Sequence, residues 1–113
     1  SQMDEIELPP WTHDYFPQRM LPSVLLSYQM NVYNDQLKKL AGGPFIKKLL
    51  RTMLQRQSDT LTPSARKMYA YVAHDSTLVN VLSALGVWDG TAPNFSSMLI
   101  VELHEVNGYW NVQ

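Results

Sequence analysis

The sequence contains no cysteine. That excludes a disulfide scaffold, a thiolate zinc site and a cysteine nucleophile, and it leaves the redox compartment unread. Long hydrophobic runs are also missing: none approaches the ~18 residues of a membrane-spanning helix, so no transmembrane segment is expected in this chain. Neither sign of charge is in excess, with nine Lys and Arg against ten Asp and Glu. That balance gives no reason to expect nucleic acid or an anionic membrane as a partner. A signal peptide is not expected either, because Ser1 to Leu8 is acidic and polar where a leader would be basic and then apolar. What is present is ordinary for a globular protein, at 45% hydrophobic and 17% charged residues. A length of 113 residues accommodates one small domain and not two.

The most informative stretch runs from Lys67 to Gly86. Tyr69, Tyr71 and Val72 are β-formers, and Ala70 and Ala73 are small, so this run suits a strand buried on both faces. His74-Asp75 follows. Asp75, Ser76 and Thr77 favour a helix N-terminus, Leu78, Val81, Leu82 and Leu85 recur at helical spacing, and Gly86 supplies a stop. A polar pair at the carboxyl end of a strand and at a helix N-terminus is where open α/β sheets place ligands.

Elsewhere, residues 1 to 18 read as irregular, interrupted by Pro9, Pro10 and Pro17. One helix is expected from about Leu21 to Leu40, burying Val24, Leu25, Tyr28, Val32 and Leu40. Gly42-Gly43-Pro44 breaks it, and a second helix runs from Pro44 to about Gln57. In that helix Phe45, Ile46, Leu49, Leu50, Met53 and Leu54 oppose Lys47, Lys48, Arg51 and Gln55. Met98 to Val106 and Tyr109 to Val112 read as strands joined by an Asn107-Gly108 hairpin turn. Three strands make too thin a sheet for these helices. Residues 1–113 are therefore expected to form a single incomplete α/β domain.

For His74-Asp75 the chemical reading is phosphate binding. His74 donates to an oxyanion, Asp75 acts as a general acid for a leaving oxygen, and the helix N-terminus offers free amides to phosphate. The plainer reading has Asp75 capping the helix and His74 as an ordinary loop histidine. A carboxylate at a helix N-terminus is favoured in its charged form, which opposes an acid role at neutral pH and suits work at low pH. A metal reading, with His13-Asp14 as a second ligand pair, lacks an acidic cluster to complete the set, and no metal is expected. Lys38, Lys39, Lys47, Lys48, Arg51, Arg56, Arg66 and Lys67 form a basic cluster, read as the solvated face of helices and balanced by Asp4, Glu5, Glu7 and Asp14. Trp11, Trp88 and Trp110 are too scattered for a stacking platform and read mostly as packing residues. Glu102 either reaches the site or pairs with a base. Asn94-Phe95-Ser96 is a sequon in a Pro-flanked loop, which makes Asn94 a candidate glycosylation site.

The run Tyr69 to Leu78, YAYVAHDSTL, resembles the second signature of the histidine acid phosphatases of the lysosomal and prostatic type. The resemblance extends through Leu82 and Leu85, Trp88-Asp89-Gly90, and Val101-Glu102-Leu103 with its Asn-Gly hairpin. Upstream, Leu8-Pro9-Pro10-Trp11 and Gly42-Gly43-Pro44-Phe45 are similar to the corresponding family segments, so nearly the whole chain is covered. The resemblance implies a phosphoglycerate-mutase-like α/β sandwich that hydrolyses phosphate monoesters at acidic pH through a phosphohistidine, with no cofactor. It implies His74 as the phosphate-binding histidine, Asp75 as the proton donor and Trp11 near the substrate mouth. It also implies a lysosomal or extracellular location.

The sequence departs from the family pattern in one decisive respect. Arg-His-Gly, the nucleophile signature, occurs nowhere: Thr12 precedes His13 and Leu103 precedes His104. The expectation is half of a phosphatase site, whose partner is the missing amino-terminal half of the domain or a second copy. The alternative is a non-catalytic phosphate- or protein-binding module derived from the same fold.

Overall fold

In the computed structural model, which describes residues 7–113, the long first helix expected from the apolar spacing is two helices. Helix α1 spans Leu21–Asn31, with Pro22 in the first turn, where its missing N–H leaves nothing unpaired. The chain then turns through Val32, buried at 5% exposure, and becomes extended at Asn34 (φ −136°). Asn34 Oδ1 accepts a hydrogen bond from the Leu37 amide at 2.9 Å and so starts α2, Asp35–Ala41. The capping signal Asn34-Asp35 was present, but an apolar period running through the break concealed it. Val24 and Leu40, expected on the buried side, are 40% and 66% exposed.

Helix α3 spans Gly43–Gln57, close to the expected bounds. The reason for the preceding glycine differs from a conformational stop. Gly42 sits in the right-handed region (φ −103°, ψ −27°), which any residue adopts. A Cβ at this position would run into the Asn80 carbonyl oxygen and lie 2.6 Å from Ala84 Cβ. Both belong to α4, Asp75–Ala84, so the α2–α3 junction packs backbone to backbone on that helix. Helix α4 ends as the sequence implies. Gly86 adopts φ +76°, its amide bonds to the Ser83 carbonyl, and the Val87 amide reaches back to the Leu82 carbonyl at 2.9 Å. This is a Schellman closure, in which the left-handed residue costs little because it is glycine.

Strand β1 (Leu103–Val106) pairs antiparallel with β2 (Tyr109–Val112), in register Leu103↔Val112 and Val106↔Tyr109. Asn107 (φ 52°) and Gly108 (φ 80°) give the two left-handed residues of a type I′ turn. Two expected strands are corrected. Met98 to Val101 lies outside the paired region, because β2 and Gln113 reach only as far as Glu102. The run Tyr69 to Ala73 is not a strand at all: its backbone finds no ladder partner among the described residues, and Val72 is fully exposed. A strand is a property of a pair, and β-propensity alone cannot supply the second member.

The core is correspondingly small. Among the described residues the buried hydrophobic side chains are Val32, Leu61, Val79 and Val81. The accessible surface is 9452 Å², against about 6,300 Å² for a folded monomer of this mass. The radius of gyration is 18.6 Å, against about 13 Å for a compact domain of this length. Helix α1 is apolar nearly all round yet buries no residue, where such a helix normally lies inside a larger body.

Candidate active site

Helix α4 begins where the polar run predicts. His74 is extended (φ −85°, ψ 162°), and its carbonyl accepts from the Thr77 and Leu78 amides at 3.0 and 3.3 Å. The His74 imidazole makes no capping bond, so the helix is started by the His74 backbone rather than by a capping side chain. Asp75 is the first helical residue and not the cap. Both residues are exposed, at the positive end of the helix dipole.

The two carboxylate oxygens of Asp75 are held separately. Oδ1 accepts from the Ser76 amide, a first-turn donor, at 2.6 Å. Oδ2 accepts from the Tyr28 hydroxyl at 2.7 Å, across from α1 and 47 residues away in sequence. The Tyr28 hydrogen bond is the main reason that the Asp75 carboxyl lies below its ordinary pKa, followed by the Ser76 amide, with the His74 charge a smaller contribution. From the other side, the same hydrogen bond raises the Tyr28 phenol above its ordinary value. The direction matches the one expected for Asp75, but a side chain from another helix is its leading cause.

The remaining candidates lie elsewhere. Trp11 stands in a short 3₁₀ turn, Pro10–Thr12, is 67% exposed, and shares no hydrogen bond or ring contact with His74 or Asp75 among the described residues. Trp88 and Trp110 are half-buried, so two of the three tryptophans pack and Trp11 is the one that does not. Glu102 contacts His104 at 3.3 Å on the hairpin rather than the His74-Asp75 pair. Asn94 is exposed in the loop after Pro93, with Ser96 at φ 61° two residues on. Within the basic cluster Lys48 lies over the Tyr71 ring at 4.8 Å and Arg66 over the Tyr69 ring at 5.2 Å. Asp4 and Glu5, expected among its counter-charges, lie outside the described residues. Among the described residues no three His, Asp or Glu side chains converge as a metal-binding group. No helix among the described residues is long and apolar enough to cross a membrane.

The profile of the histidine phosphatase superfamily (branch 2) matches residues 13–113. The chain belongs to that superfamily. Among curated relatives of this histidine phosphatase chain, the venom acid phosphatase Acph-1 of Apis mellifera is 34% identical over 91% of the chain and 26% of its own length. The prostatic acid phosphatase of Rattus norvegicus is 33% identical over 76% of the chain and 22% of its own length. The lysosomal acid phosphatase of Bos taurus is 28% identical over the whole chain and 27% of its own length. The chain thus spans about a quarter of the length of these relatives. No solved structure matches it. Within this histidine phosphatase chain, the site contact that sequence reading missed is Tyr28, which the helical pattern assigned to packing. Its only signal was a phenol among aliphatic residues, and nothing local ties that phenol to residue 75.

Proposed function

We infer that the chain supplies the phosphate-binding and proton-donating half of an acid phosphatase site. In this reading His74 holds a phosphoryl oxygen and Asp75 protonates the leaving oxygen of a phosphate monoester. The nucleophilic histidine and its arginines come from another part of the same domain. The observation that carries the reading is the His74-Asp75 pair at the N-terminus of α4, in a chain of the histidine phosphatase superfamily. The positive end of the helix dipole suits a phosphate there. The depressed pKa of Asp75 opposes protonation, so proton donation in this reading is confined to acid. Residues 1–113 are then one part of a larger α/β domain. The partner surface is the extended run Tyr69 to Ala73 together with the exposed apolar sides of α1 and α3. Lysosomal or extracellular residence and glycosylation at Asn94 accompany this reading, given relatives named as lysosomal and venom acid phosphatases.

The test is hydrolysis of an alkyl phosphate, whose leaving oxygen needs a proton, at about pH 5, with the chain alone and with a relative's nucleophile-bearing amino-terminal portion added. Turnover is expected only in the combined sample, and Asp75→Ala should abolish most of it. Single-chain turnover that survives Asp75→Ala defeats the half-site account. The missing Arg-His-Gly favours a second reading, a non-catalytic phosphate-binding module. It is separated by vanadate titration of the chain alone, where binding lost in His74→Ala supports a module.

A further inference from the structure

We propose that Tyr28 is a positioning residue for Asp75, fixing the orientation of its carboxyl group from the facing helix. The inference rests on the reading of Asp75 as proton donor and adds a residue to it. Two bonds from opposite sides define the carboxyl plane: the Ser76 amide on Oδ1 and the Tyr28 hydroxyl on Oδ2. Without the second, the carboxyl is tethered only by the amide of the next residue, and χ2 of an exposed aspartate is soft. The phenol suits this role because it can donate to Oδ2 whether the carboxyl is charged or carries its single proton on the other oxygen, directed at the leaving group. It therefore keeps the same partner through a catalytic cycle. In that cycle the protonated carboxyl gives its proton to the bridging oxygen as the P–O bond breaks, and the phosphoryl group passes to the histidine of the other half.

Position and proton affinity are coupled here. Tyr28 favours the charged carboxylate, so it restricts proton donation to acid. The other groups bearing on the Asp75 charge are the Ser76 amide and the His74 imidazole. Helix α1 carries no charged side chain. Asp35, Lys38 and Lys39 of α2, and Lys47, Lys48, Arg51 and Arg56 of α3, make no hydrogen bond or ion pair to Asp75 among the described residues. Tyr28 is thus the one tertiary hydrogen bond to this carboxyl among the described residues.

The decisive experiment is a carbon-detected NMR titration of the Asp75 carboxyl in the chain and in Tyr28→Phe, which keeps the ring and removes only the hydroxyl. The Asp75 titration should move to higher pH in the variant. Reciprocally, the Tyr28 ring signals should titrate at lower pH in Asp75→Asn. Superimposable curves in both comparisons overturn the assignment. In the combined two-part sample, Tyr28→Phe should move the descending limb of kcat to higher pH. On the acid plateau it should lower kcat for alkyl phosphates roughly tenfold, a fraction of what general acid catalysis supplies. Aryl phosphates with acidic leaving groups need no proton and should be spared. An equal loss on both substrate types marks Tyr28 as merely structural and also overturns the assignment. Absence of turnover in parent and variant alike strikes the half-site reading instead, and the carboxyl titration still decides Tyr28.

Discussion

At the scale of single residues, the Tyr28–Asp75 bond ties stability to pH in a defined direction. The folded-state pKa of Asp75 is depressed, so the bond contributes fully above the unfolded value of about 3.9 and is lost as pH falls through the lower folded value. The folded-state pKa of Tyr28 is raised, so the same contribution persists up to about pH 10 and is lost above it as the phenol ionises. Asp75→Asn should therefore lower the urea midpoint across the neutral plateau. The gap between variant and parent should close below about pH 4. A gap that is constant from neutral pH to pH 3 would mean that the bond is not made in solution. The place of His74 and Asp75 at the start of α4 was legible in the sequence because what bounds that helix is local: helix-starting residues at one end and a glycine stop at the other. Tyr28 was not, because a contact across 47 residues leaves no periodic trace.

At the scale of elements, α3, α4 and the hairpin follow from capping and turn chemistry that each segment carries within itself. The failures involve a second element. The sequence reading treated Gly42 as a helix stop, yet its dihedrals are open to any residue, and what excludes a side chain is the backbone of α4. This yields a prediction with a sign opposite to intrinsic propensity. Alanine at a right-handed position would ordinarily stabilise by about 0.4–1 kcal/mol. At residue 42 its methyl group would meet the Asn80 carbonyl and Ala84 Cβ, neither of which is the end of a flexible side chain. Gly42→Ala should therefore destabilise by about 1–3 kcal/mol, as overpacking does. Chemical denaturation monitored by circular dichroism measures it. A variant more stable than the parent would show that α2 and α3 do not sit on α4 as closely as described.

At the scale of the whole molecule, the large surface and the unpaired extended run point the same way. The chain exposes roughly 3,000 Å² more than a compact monomer of its mass, an amount in the range of large, permanent interfaces. Much of it is chemically one-sided. Tyr71 packs edge-on against Phe45 of α3 at 5.0 Å and stacks with Tyr69 at 6.5 Å, so one face of the extended run touches α3 while its rings stay 41% and 37% exposed. Met68 and Val72, alternating with them, stand 79% and fully exposed on the other face. The side chains alternate as in an extended chain, one face against α3 and the other toward solvent, and the backbone makes no ladder bonds among the described residues. Unpaired amides in an extended exposed segment should exchange with solvent at nearly the intrinsic rate, whereas those in the middle of α3 are held by helical bonds. In the chain alone, hydrogen exchange should therefore find Met68 to Ala73 unprotected while Leu49 to Met53 exchange slowly. Adding the nucleophile-bearing portion of a relative should slow exchange at 68–73 by at least about a thousandfold if a ladder forms on this run, since core strands open only with energies near the global stability. Protection of 68–73 already in the chain alone would mean that the run has found another partner, such as a second copy, and concentration dependence of that protection would identify it. Protection absent in both samples would remove the run from the interface and leave α1 and α3 as its candidates.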